Sequence, residues 1–131
     1  MRFAIFLIFL PFFVSEIQES AICVEEIESG ETAKFFAFEF LLEFKHSIYG
    51  GSVMLNCKVV DKKIVILSLE SDDEASISYY TDRYERIGSR FVAKIDEKVN
   101  AILLNEGWRI KLQANEFETK SPSKISLCVG D

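Results

Sequence analysis

The chain carries a single histidine, His46, in 131 residues. A Ser-His-Asp or Cys-His nucleophile would have to be built on that one ring. It stands beside Ser47 in what reads as an exposed turn, and nothing marks a nucleophile elbow. One imidazole and three dispersed cysteines also lack the ligand spacing of a zinc site. No Gly-rich phosphate loop occurs. Asp72-Asp73-Glu74 clusters carboxylates without the regular oxygen-ligand spacing of a calcium loop, so it reads as a charged β-turn. With no assembled acid, base or nucleophile, the expectation is a binding protein rather than an enzyme, with no metal or cofactor. Positive charge is scarce too. Fifteen Lys and Arg stand against 21 Asp and Glu, a net charge of −6. Nucleic acid and anionic membranes, which attract basic surfaces, are not expected partners.

The cysteines are Cys23, Cys57 and Cys128. None forms a Cys-x-x-Cys pair, so no redox motif is supported. An odd number implies one disulfide and one remaining thiol, free or shared with another chain in a disulfide-linked homodimer. The sequence does not choose the pair. Nor is there an Asn-x-Ser/Thr sequon, since Asn56, Asn100, Asn105 and Asn115 all lack the hydroxyl partner.

Long apolar runs are absent except at the start. Arg2 precedes Phe3–Val14, which holds twelve consecutive apolar residues or proline. That is short of the roughly 20 residues a membrane helix needs, and it matches the hydrophobic region of a secretory signal. The competing reading is a buried N-terminal strand, but nothing in the run alternates. The expectation is a signal peptide over 1–20, cut between Ser15 and Ala21, followed by one secreted domain over 21–131 with no membrane span.

Alternation dominates what remains. Cys23–Gly30 reads as an acidic edge segment or loop. In Lys34–Phe44, Phe36, Phe38, Phe40, Leu42 and Phe44 share one parity. A strand is preferred there over a helix stopped by Gly50-Gly51. Val53, Leu55, Cys57 and Val59 face one way in a half-buried strand, which Asp61-Lys62 turns into the β-branched run Lys63–Leu69. That run is apolar on both faces, as in a central strand. Phe91–Ile95 and Val99–Leu104 read as two strands separated by an Asp96-Glu97 turn. Trp108, Ile110 and Leu112 alternate, and Ile125, Leu127 and Val129 make a last inward face. Eight or nine short strands with frequent turn signals predict an all-β, antiparallel β-sandwich in a single domain.

One stretch concentrates groups able to bind something. Ala75–Tyr84 reads as a strand ending in a polar aromatic tip, with three of the four tyrosines and an arginine. Tyr79, Thr81 and Arg83 share strand parity and would project together. Rings cover the apolar faces of sugars, and Arg or Thr bonds their hydroxyls. The plainer reading makes these tyrosines half-buried sheet residues and pairs Arg83 with an acid such as Glu85. Trp108 is a second platform candidate, although core packing is the better reading.

From Gly50 to Asp131 the order of features resembles a galectin carbohydrate-recognition domain. Gly50-Gly51-Ser-Val-Met-Leu-Asn-Cys-Lys-Val59 looks like the early strand after the family's glycine turn. Lys63–Leu69 resembles its Phe-x-Ile-Asn-Leu strand, and Glu74–Tyr84 its Ile-Ala-Leu-His-Phe-Asn-Pro-Arg-Phe stretch. Trp108–Thr119 resembles the late hairpin, and Ile125–Asp131 the Ile-x-x-Leu-x-Val-x-Gly-Asp that follows. The resemblance implies a galectin or jelly-roll-like sandwich that binds glycans or glycoproteins through a degenerate site. Arg83 is kept, Tyr79 stands at the family's His, and Thr81 stands at its Asn. The alternative is a secreted protein-interaction module without sugar affinity, working through a sheet edge or the odd cysteine.

Overall fold

The structure, a computed structural model, describes residues 20–128. The expected leader, except its last residue Ser20, lies outside them, as does Val129 of the last inward face. Among the described residues, eleven strands form two antiparallel sheets. The smaller sheet has the order β2 (Thr32–Ala37), β1 (Ser20–Glu26), β11 (Ser123–Leu127), β8 (Ala101–Leu104). The larger runs β10 (Asn115–Glu118), β9 (Arg109–Leu112), β3 (Glu39–Lys45), β4 (Ser52–Val60), β5 (Lys63–Ser71), β7 (Arg90–Val99), β6 (Glu85–Ile87). The all-β expectation holds, and the sheets share one core. Ile22, Leu104 and Ile125 from the smaller sheet cluster with Phe40, Leu42, Cys57, Ile64 and Ile110 from the larger. No helix among the described residues is long and apolar enough to cross a membrane.

Several strands follow their sequence pattern closely. In β4, Val53 and Cys57 are buried, and Leu55 and Val59 pack beside them. β5 lies between β4 and β7 and buries adjacent Ile64 and Val65, as a central strand should. Asp61 and Lys62 both take positive φ, 49° and 61°, which gives the two-residue hairpin a twist matching its strands.

Elsewhere the pattern misleads. Lys34–Phe44 is not one strand. β2 and β3 belong to different sheets, and the inward parity switches at Phe38, between them. Ala37 and half-buried Phe35 point inward from β2; Phe40 and Leu42 do so from β3. Phe36 is consequently 63% exposed, on an edge strand. Cys23–Gly30 divides: Cys23–Glu26 belongs to β1, which is no edge because it pairs with both β2 and β11, and residues 27–30 form the expected loop. The expected turn at Asp96-Glu97 is a bulge. Asp96 has φ 51° and the β5–β7 register shifts there, yet the strand continues to Val99.

The largest correction falls on Ala75–Tyr84. It is not a strand: α1 (Glu74–Ser78) is a short helix, and a loop leads from it to Tyr84. Ile77 of α1 is fully buried against Val53, Leu69 and Ala93 of the larger sheet. The helix thus plugs a second, smaller core cluster. This position decides where the aromatic loop ends up.

Candidate functional site

Asp73 caps α1, its carboxylate accepting from the backbone N–H of Ser76 at 3.0 Å and from the Ser76 hydroxyl at 2.7 Å. The same hydroxyl oxygen accepts from the Gly51 N–H at 3.1 Å. Ser71 donates to the Ser52 carbonyl, and Asp72 accepts from the Ser52 N–H at 2.9 Å. These bonds seat the helix on the turn between β3 and β4. The fit is close enough to require glycine: a Cβ at Gly51 would overlap the Ser76 hydroxyl and lie 2.5 Å from Asp73 Cβ.

Joining helix to turn gathers rings from four parts of the chain. His46 is only 3% exposed. Tyr79 and Tyr80 meet its ring edge-on at centroid distances of 4.7 and 5.5 Å, and Tyr49 stacks on it at 5.4 Å. Tyr80 also meets Phe44, which stacks on Trp108 at 4.0 Å with 10° between planes. Tyr79 and Tyr80 remain 58% and 47% exposed. Partial burial, and next the neighbouring Tyr79, raise the Tyr80 phenol above its ordinary pKa. Beside the rings lies a pocket of about 410 Å³, lined by Phe44, Tyr80 and Trp108 and by polar Lys45, Ser47, Asn105 and Glu106.

His46 was expected to be exposed and is not. The turn folds it beneath the tyrosines, and its Nδ1 accepts the backbone N–H groups of Ile48 and Tyr49 at 3.2 and 3.1 Å. That nitrogen therefore carries no proton, and the ring hydrogen sits on Nε2. No hydroxyl or thiol hydrogen-bonds the ring among the described residues. His46 serves as a scaffold for the rings around it.

The three expected site residues separate. Tyr79 joins the ring cluster. The Thr81 hydroxyl is turned to its own loop, accepting the Arg83 N–H at 3.0 Å. Arg83 is exposed, and neither it nor Thr81 lines the Trp108 pocket. Their shared strand face does not exist, because the segment is helix and loop. Tyr84 bends back instead, donating to Glu74 at 2.8 Å, and that bond raises its phenol pKa. The residues that sequence reasoning passed over are Phe44, Tyr80, Asn105 and Glu106. Trp108 was weighed as platform and as core; it is half-buried, packs against the core cluster and Phe44, and also lines the pocket.

The cysteines resolve cleanly. Cys23 and Cys128 form a disulfide between the middle of β1 and the residue just after β11. Cys57 is left as a free thiol, buried in the core, and burial pushes its pKa up to about 12. The expected disulfide-linked homodimer has no thiol to use, since two cysteines bond each other and the third is inaccessible. Among the described residues, no group of three or more His, Cys, Asp or Glu side chains is placed to hold a metal ion. No family model, curated protein or solved structure matches this chain.

Proposed function

We propose that this is a secreted, galectin-like glycan-binding domain whose sugar lies against Tyr80 and Trp108. One observation carries the reading: three aromatic rings, those of Phe44, Tyr80 and Trp108, line a pocket whose other side chains offer a hydroxyl, an amide, a carboxylate and an ammonium. A sugar ring has an apolar C–H face and a rim of hydroxyls, and this lining offers a partner for each. The volume lies in the usual range for small-ligand sites, roughly 300–1,000 Å³. The ring cluster is also held from behind by His46 and the Gly51–Ser76 contact, so little order must be gained on binding. An intramolecular disulfide agrees with the secretory leader. The galectin resemblance is one of sequence over Gly50–Asp131, and within it Glu74–Tyr84 folds as helix and loop rather than strand.

The test is a glycan array with the wild-type protein, followed by titration of the single tryptophan's fluorescence. Tyr80→Ala should weaken binding by about tenfold, the loss of one ring–sugar contact. Arg83→Ala separates this site from the strand-face expectation. It should leave binding unchanged if the sugar sits at Trp108, and abolish it if Tyr79, Thr81 and Arg83 form the site. Failure of the wild-type protein to bind any glycan would refute the function.

A further inference from the structure

The Trp108 pocket does not stand alone. A second pocket of about 350 Å³ shares Phe44, Lys45 and Gly107 with it, so the two abut along that wall. The linings differ in kind. The first presents aromatic surface. The second adds Glu43, Ser52, Asp72 and Arg109, a set of charged and hydroxyl groups.

These groups are already fixed in place. Arg109 Nη1 lies 3.5 Å from Glu43 Oε1, and Arg109 Nε lies 3.4 Å from Glu116 Oε1. Glu43 is also 3.4 Å from Lys111, and its other oxygen accepts from the Ser52 hydroxyl at 3.3 Å. Strand pairing sets the row: Glu43 lies opposite Arg109 on β9, and Lys45 opposite Ser52 on β4. A carboxylate has about four acceptor positions and a guanidinium five N–H donors, so both keep capacity after pairing with each other. Their geometry is set before any ligand arrives, which reduces the entropy lost on binding.

We propose that this second pocket is a further subsite, and that the ligand is a linear glycan of at least two units. This rests on the glycan reading above. One unit stacks at Tyr80 and Trp108. The next lies over Phe44 and Lys45 into the polar pocket, where its hydroxyls accept from Arg109 and donate to Glu43 and Asp72. Lys45, which lines both pockets, bonds at the junction. The division of labour follows from the linings: the aromatic subsite supplies contact area, and the polar subsite supplies discrimination among hydroxyl patterns.

A length-graded library of neutral glycans decides it. The library holds one to four units in gluco-, galacto-, manno- and N-acetylglucosamine series, and Trp108 fluorescence reads binding. Affinity should rise about tenfold or more from one unit to two, the gain from hydrogen bonds to charged groups. Arg109→Ala should remove most of that gain, so the ratio of two-unit to one-unit affinity falls towards unity. Should Arg109→Ala fold poorly by circular dichroism, Ser52→Ala removes one hydroxyl and no ion pair and should lower the same ratio. Equal affinity at every length, or an unchanged ratio in the variants, overturns the second subsite and leaves the glycan site standing. No binding at any length overturns both.

Discussion

Gly51→Ala probes the contact that assembles the ring cluster. Gly51 lies outside the left-handed region, so alanine meets no backbone penalty there and the cost is steric. The new methyl meets the Ser76 hydroxyl, Asp73 Cβ at 2.5 Å and Ser76 Cβ at 3.1 Å. Two of these are Cβ atoms, which cannot swing away without moving the backbone. Overpacking of this kind costs roughly 1–3 kcal/mol. Loss of the hydrogen bond from Gly51 to Ser76 adds roughly 0.5–1.5 kcal/mol. The stiffer unfolded chain returns roughly 0.4–1 kcal/mol. The net expectation is a loss of about 2 kcal/mol, which lowers the urea midpoint by about 1 M at an unchanged slope. Unfolding is followed through Trp108, whose ring is stacked in the same cluster. In a Ser76→Ala background the same substitution should cost less, because the hydroxyl is absent and its bond already gone. A double-mutant cycle should report a coupling of at least about 0.5 kcal/mol. If Gly51→Ala instead stabilises the protein by a few tenths of a kcal/mol, as an unobstructed replacement would, helix and turn are not in close apposition.

Two further outcomes follow from the cysteines. Opening Cys23–Cys128 by Cys23→Ser releases a constraint across 105 residues, for which loop-closure entropy gives about 4–5 kcal/mol, read as a lower urea midpoint; an unchanged midpoint would refute it. The buried Cys57 thiol has a folded pKa raised from 9.0 to about 12, so the folded state holds its proton more tightly than the unfolded chain. Its contribution is fully present below pH 9 and is lost as pH rises from 9 towards 12, at about 1.4 kcal/mol per pH unit. Cys57→Ala should flatten that part of the stability–pH curve, and an unaltered slope would show that the thiol ionises freely in the fold.

Local alternation was a sound guide wherever a strand kept one partner sheet. β4, β5 and β9 follow their apolar parity because each has one face on the core throughout or, in β5, apolar residues on both. Parity failed where the chain changed sheets, at Phe38, since a period-two pattern carries no mark of a crossover. It failed again at α1. Ile77 and Tyr79 mimic a strand's alternation, while the opposing signal was an Asp73 cap with Glu74 in the first turn. Five residues of helix hold too little periodicity to outweigh that mimicry, and the contact that stabilises them comes from Gly51, far away in sequence. The site suffered most. Tyr79, a member of the ring cluster, stood out because it lies in a dense local window. Phe44, Tyr80 and Trp108 converge only through sheet register and helix docking, and His46 looks exposed until the tyrosines that cover it are in place.

The disulfide has a mechanical consequence. Cys23 lies near the beginning of the described fold and Cys128 at its end, and the Cys128 N–H also bonds the Ala21 carbonyl at 3.0 Å. A tension applied to the two ends passes from β1 to β11 through the covalent bond. The strands between them, and the ring cluster they support, lie outside the load path. Pulled from its ends, this domain would behave as a short inextensible link, keeping the pockets beside Trp108 in shape until the sulfur–sulfur bond is reduced.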